Sequence, residues 1–109
     1  PRSAGTFARV LGHYVRERGV LTFEDAVRKM SGLPAQRMRL YDRGLIRPGM
    51  KADLVILDPK TIGDRSTYKD PLAAAVGVRD VIVNGRVALR NGTITAERPG
   101  RAIYRPGTR

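Results

Sequence analysis

The dipeptide Asn84-Gly85, set between Val81-Ile82-Val83 and Val87-Ala88-Leu89, constrains the fold of this chain more than any other stretch. A type I′ turn needs positive φ at both central residues, and Asn-Gly accepts this with the least strain. Two short apolar runs separated only by this dipeptide and Arg86 therefore read as an antiparallel hairpin. Asn91-Gly92 repeats the signal and leads into Thr93-Ile94-Thr95, a third short strand. Upstream, Leu54-Val55-Ile56-Leu57 lies between two further breaks, Pro48-Gly49 and Asp58-Pro59. Proline presets φ for the second turn position, and glycine takes the positive φ that follows in type II. Four bulky apolar residues in a row read as a strand buried on both faces, in the same sheet as the hairpin. Lys60 to Lys69 has no periodicity and reads as a loop.

Ahead of residue 44 the periodicity is helical. Phe7, Val10, Leu11, Tyr14 and Val15 fall at i, i+3, i+4, i+7 and i+8, one apolar stripe on a helix from about residue 6 to 18. Thr6 or Ser3 is the expected N-cap and Gly19 the left-handed stop. A second helix opens at Thr22, whose spacing to Asp25 is that of a capping box, and buries Phe23, Ala26, Val27 and Met30. Ser31-Gly32 is expected to end it. Pro34 suits the first position of a short third helix running to about Leu40, with Met38 and Leu40 inward. Helices followed by strands give an α+β chain with its boundary near residues 40–44.

At 109 residues the chain holds one modest core, and it has no Cys for a disulfide or a thiolate metal site. Its apolar runs are too short to span a bilayer. The first residues carry neither an initiator Met nor a signal core, so the chain is expected to begin inside a longer one. A net charge of +11 raises nucleic acid as a partner. Against it, the cations are spread along the whole length and the tyrosines are not interleaved with them as stacking platforms. His13 is the single histidine, too few for a zinc site, and nothing in the sequence pairs it with a nucleophile. Glu24-Asp25 sits in a first helical turn, where carboxylates stabilise the helix dipole. By its own residues this stretch is not an enzyme.

Two sets of residues carry a resemblance. Gly44-Leu45-Ile46-Arg47-Pro48-Gly49, followed by Ala52-Asp53-Leu54-Val55, is similar to the segment by which amidohydrolase-superfamily enzymes leave their barrel and enter a small β domain. Pro1-Arg2-Ser3-Ala4-Gly5-Thr6-Phe7-Ala8-Arg9-Val10-Leu11-Gly12 resembles the corresponding run of the N-acyl-D-amino-acid deacylases, the D-aminoacylase family. Thr22–Met30, Leu33-Pro34-Ala35, Asp70-Pro71, Gly77-Val78, Val81–Gly85 and Arg98–Arg101 continue the match in order along the chain. Ala74-Ala75 departs from it, since relatives often carry an aromatic residue and proline there.

The resemblance implies a fragment. Residues 1–43 would be the last helices of a (β/α)₈ barrel, and residues 44–109 the C-terminal part of a β-sandwich domain. It implies zinc in the parent enzyme, with the metal ligands and catalytic Asp lying outside this stretch, so no catalytic or metal residue is assigned here. It implies one substrate-binding residue, Arg2, for the α-carboxylate of an N-acyl amino acid, a task that suits a bidentate guanidinium. The expected partners are the remainder of the barrel, or a second copy, covering the Phe7–Val15 stripe; the expected compartment is the cytoplasm. The alternative is a free-standing, non-catalytic binding or assembly module of the same ancestry.

Overall fold

Two helical runs precede a four-stranded antiparallel sheet in the computed structural model, which describes residues 2–104, 106 and 107, the side chain of Arg2 excepted. The first run starts as an α-helix, α1 (Arg2–Arg9), and continues without a break as a π-helical segment, Val10–Glu17. Gly19, at φ +60°, closes it. Its N–H donates to Val15 O at 3.1 Å and that of Val20 to Tyr14 O at 3.0 Å, a wrap one residue wider than a Schellman motif, as π winding requires. The helix begins earlier than expected, so Ser3 and Thr6 lie inside it instead of capping it.

The expected second and third helices are one continuous run: α2 (Phe23–Val27), a π-helical segment (Arg28–Gly32) and α3 (Leu33–Arg37). Thr22 caps it as the sequence predicts, its Oγ1 accepting from the Asp25 N–H at 3.1 Å. Ser31-Gly32 does not end it, because Gly32 is helical at φ −61°, ψ −45° and the Leu33 N–H reaches Arg28 O. The wider turn also absorbs Pro34, whose ring would otherwise meet a carbonyl of the preceding turn. The run stops at Arg39, a non-glycine residue at φ 57°, with Leu40 N–H on Ala35 O at 2.9 Å and Arg39 N–H on Gln36 O at 3.0 Å. Met38 sits at this C-cap and is exposed, contrary to expectation; Ala35 is the buried residue of α3.

The sheet is a meander of β1 (Leu54–Leu57), β2 (Val78–Val83), β3 (Arg86–Arg90) and β4 (Thr93–Ile94), paired in that order. Both Asn-Gly turns form, with Asn84 and Gly85 at φ 50° and 77° and Asn91 and Gly92 at φ 48° and 76°. Val83 faces Arg86 across the first turn and Arg90 faces Thr93 across the second. β1 pairs with β2, Leu54 opposite Ile82, and so lies in the hairpin's sheet as expected. It is not buried on both faces: Val55 is 56% exposed and Ile56 40%. β1 is an edge strand, and no described element covers that side of it.

The core joins the helices to the loop after β1. Ala8, Leu11, Ala26 and Ile62 are its buried members, with Val10, Val15, Phe23, Met30, Leu57 and Val78 among the side chains packed around them. It draws on residues from both sides of the 43/44 boundary. The buried face of the first helix is therefore rotated from the expected stripe. Leu11, Val10 and Val15 pack inward, whereas Phe7 is 67% exposed and Tyr14 exposed on its flank. Gly5, Ala8 and Gly12 take the inner positions, Gly5 against the side chains of Ser66 and Asp64 and Gly12 against the backbone of Ile62 and Gly63. Among the described residues no helix is long and apolar enough to cross a membrane.

Candidate functional site

Arg2 is the first residue of α1, and its side chain lies outside the described residues. What the structure gives is the ground on which that helix stands. A Cβ on Gly5 would come within 2.4 Å of Ser66 Oγ and 2.9 Å of Asp64 Cβ, so only glycine permits this approach. Seven residues on, a Cβ on Gly12 would meet Ile62 O at 2.5 Å. Between them Arg9 Nη1 lies 3.6 Å from Asp64 Oδ2, and the Arg9 guanidinium sits 5.9 Å from the Tyr14 ring centroid, within cation–π range. Thr6, Arg9, Tyr14, Asp64, Ser66 and Tyr68 line a shallow concavity beside the start of α1. The sequence marked residues 60–69 as featureless, yet they hold the buried Ile62 and Ser66. A lone isoleucine in a polar loop was the signal.

His13 and Asp25 both have structural partners. His13 Nδ1 is 2.8 Å from Glu17 Oε2, an i,i+4 pair, and the imidazole stands edge-on to Tyr14 with centroids 4.9 Å apart. Among the described residues its hydrogen-bond partner is a carboxylate and not a nucleophile. Asp25 lies 3.2 Å from Lys29 and 3.4 Å from Arg28, and the Lys29 hydrogen bond leads in holding its carboxyl below the ordinary value. Among the described residues, no three His, Asp or Glu converge as a metal site.

Two carboxylates do work that the sequence did not reveal. Asp53 Oδ1 accepts the Asn84 N–H at 2.8 Å while its other oxygen accepts from Arg43. Arg43 also donates to Asn84 Oδ1 at 2.8 Å, and Asn84 Nδ2 to Pro99 O at 2.8 Å. Asp80 Oδ1 accepts the Asn91 N–H at 2.9 Å, with Arg79 Nε on its other oxygen at 2.7 Å. Each Asn-Gly turn thus has its first N–H held by an Asp from outside the turn. Burial acts to raise the Asp53 carboxyl, but the Asn84 N–H and Arg43 outweigh it and hold it low. The Asn91 N–H, then Arg79, hold Asp80 low in the same way. This is architecture and not catalysis: the acids are spent on backbone and arginine.

A model of the amidohydrolase family matches residues 1–89. The chain belongs to the amidohydrolase family. D-aminoacylase of Alcaligenes xylosoxydans xylosoxydans is 44% identical over 105 residues, covering 96% of this chain and 22% of that protein. N-acyl-D-glutamate deacylase of the same organism is 45% identical over 105 residues, covering 96% and 21%. The crystal structure of D-aminoacylase superposes with a TM-score of 0.89 at 44% identity, covering 93% of this chain and 21% of that one. N-acyl-D-glutamate deacylase from Bordetella bronchiseptica, solved with zinc and a phosphonate mimic of the tetrahedral intermediate, gives 0.84 at 43% identity, covering 93% and 21%. This amidohydrolase chain thus spans about a fifth of the length of the relatives it matches.

Proposed function

We propose that this chain works as part of a longer, zinc-dependent N-acyl-D-amino-acid deacylase, which hydrolyses the linear amide between an acyl group and a D-amino acid. The observation that carries this reading is the collinear likeness to D-aminoacylase, 44% identity over 105 residues with a TM-score of 0.89. On this reading residues 1–43 are the closing helices of the barrel and residues 44–109 the C-terminal part of the small β domain. The protein acts in the cytoplasm on small N-acyl amino acids, and the rest of the barrel is this chain's partner. The described residues bring no metal-binding set together, so the zinc, which would supply the activated water, is held elsewhere in the longer protein.

The role left to this chain is substrate binding. Arg2 would take the α-carboxylate through two parallel N–H donors, a geometry that a lysine's point charge does not reproduce. Removing zinc from the purified longer protein with a chelator should abolish release of the acyl group from N-acetyl-D-amino acids, and returning zinc should restore it. Activity that survives complete removal of metal would overturn the proposal.

A further inference from the structure

The helical run that begins at Arg2 is held at three points by residues 59–66. At its far end Arg16 Nη1 donates to Ile62 O at 2.6 Å and to Pro59 O at 3.1 Å. In its middle Gly12 lies against the backbone of Ile62 and Gly63, and Arg9 faces Asp64. About one turn from Arg2, Gly5 lies against Ser66 and Asp64. The three contacts oppose different motions. The Arg16 fork resists sliding along the helix axis. Gly5 and Gly12 resist rotation, because turning the helix would bring a side chain where only a hydrogen fits. The loop is itself anchored: Ile62 is 2% exposed, and Gly63 and Val76 exchange backbone hydrogen bonds of 3.1 and 3.0 Å.

We propose that residues 59–66 are a positioning strut that sets the axial and rotational register of the helix carrying Arg2. Arg16 and Gly12 are then positioning residues for recognition of the α-carboxylate, acting through the helix and not on the substrate. The inference rests on the reading of Arg2 given above. A misplacement of about 1 Å at a binding group is enough to cost one or two orders of magnitude.

The test uses the zinc-loaded longer protein and four variants: Arg2→Ala, Arg16→Met, Arg16→Lys and Gly12→Ala. KM and kcat are measured for an N-acyl-D-amino acid and for its α-carboxamide, which lacks the charge Arg2 binds, together with the melting temperature. Arg16→Met and Gly12→Ala should raise KM for the carboxylate substrate on the order of 10-fold. They should change kcat by less than about twofold and leave the carboxamide's constants unaltered, the pattern of lost uniform binding. Arg16→Lys, which keeps a donor, should recover most of the loss. If Gly12→Ala does not fold, Arg16→Met carries the test. Equal losses on both substrates would mean a merely structural contact and overturn the proposal. If Arg2→Ala abolishes the carboxylate preference while Arg16→Met leaves it intact, the strut alone is refuted. If Arg2→Ala leaves the preference unchanged, the reading of Arg2 is wrong and the strut falls with it.

Discussion

Replacing Asp53 with Asn tests whether a carboxylate from outside the turn secures the hairpin. The wild-type side chain accepts one hydrogen bond from the Asn84 N–H at 2.8 Å and one from the Arg43 guanidinium. Asparagine can keep an oxygen on the Asn84 N–H but loses the charge and turns an amide toward Arg43. The Arg43 side chain is 14% exposed, so water compensates it poorly. Hydrogen bonds to charged groups contribute about 1.5–3 kcal/mol each. Asp53 itself is 33% exposed, which discounts both bonds, and we expect a loss of about 2 kcal/mol at pH 7. For a domain of this size that lowers Tm by roughly 8–16 °C. The loss must depend on pH. The folded carboxyl titrates below its ordinary 3.8, so its contribution is complete above that value and disappears as pH falls through the folded pKa. Urea titrations of wild type and variant at pH 7 and at successively lower pH measure the difference directly. The two curves should converge in acid. A gap that stays constant down to pH 2, or none at pH 7, would refute the reasoning.

The other predictions concern backbone and packing. Gly85→Val should destabilise by about 1–2 kcal/mol through the positive φ alone, because a Cβ there meets no atom within 4 Å, and Gly85→Asn should be nearly neutral by thermal melting. Arg39→Gly should raise stability by about 1 kcal/mol in the same assay, since Arg39 closes its helix at φ 57°. Leu11→Ala should cost about 2–5 kcal/mol and Phe7→Ser less than about 0.5, because only the first is in the core; the reverse order would restore the expected stripe.

Local demands were legible and tertiary ones were not. Asn84-Gly85, Asn91-Gly92 and Thr22 act through φ or through a bond three residues away, so sequence alone places them. The face of the first helix was misread because hydropathy patterning ignores small residues. Gly5, Ala8 and Gly12 turn inward to admit the close approach of residues 62–66, and Phe7 is left outside. The π-helical segments, and with them the continuity through Ser31-Gly32, leave no mark in hydropathy, because an apolar pattern of period 3.6 does not distinguish a wider turn. Asp53 reaches a turn 31 residues away, which no spacing rule anticipates. Arg2 enters the candidate site only through resemblance to a family, and its side chain lies outside the described residues. The loop that holds its helix showed only in the structure.

The stereochemistry of the reaction tests the proposed deacylase activity most directly. Steady-state hydrolysis by the zinc-loaded longer protein should be measured on the two enantiomers of one N-acetyl amino acid, with the free amino acid as the product detected. The D enantiomer should be preferred in kcat/KM by about 100-fold or more, because with carboxylate and amide both fixed only one hand of the α-carbon directs its side chain into the space the site leaves for it. Equal rates on both enantiomers, or turnover of the L form alone, would contradict it.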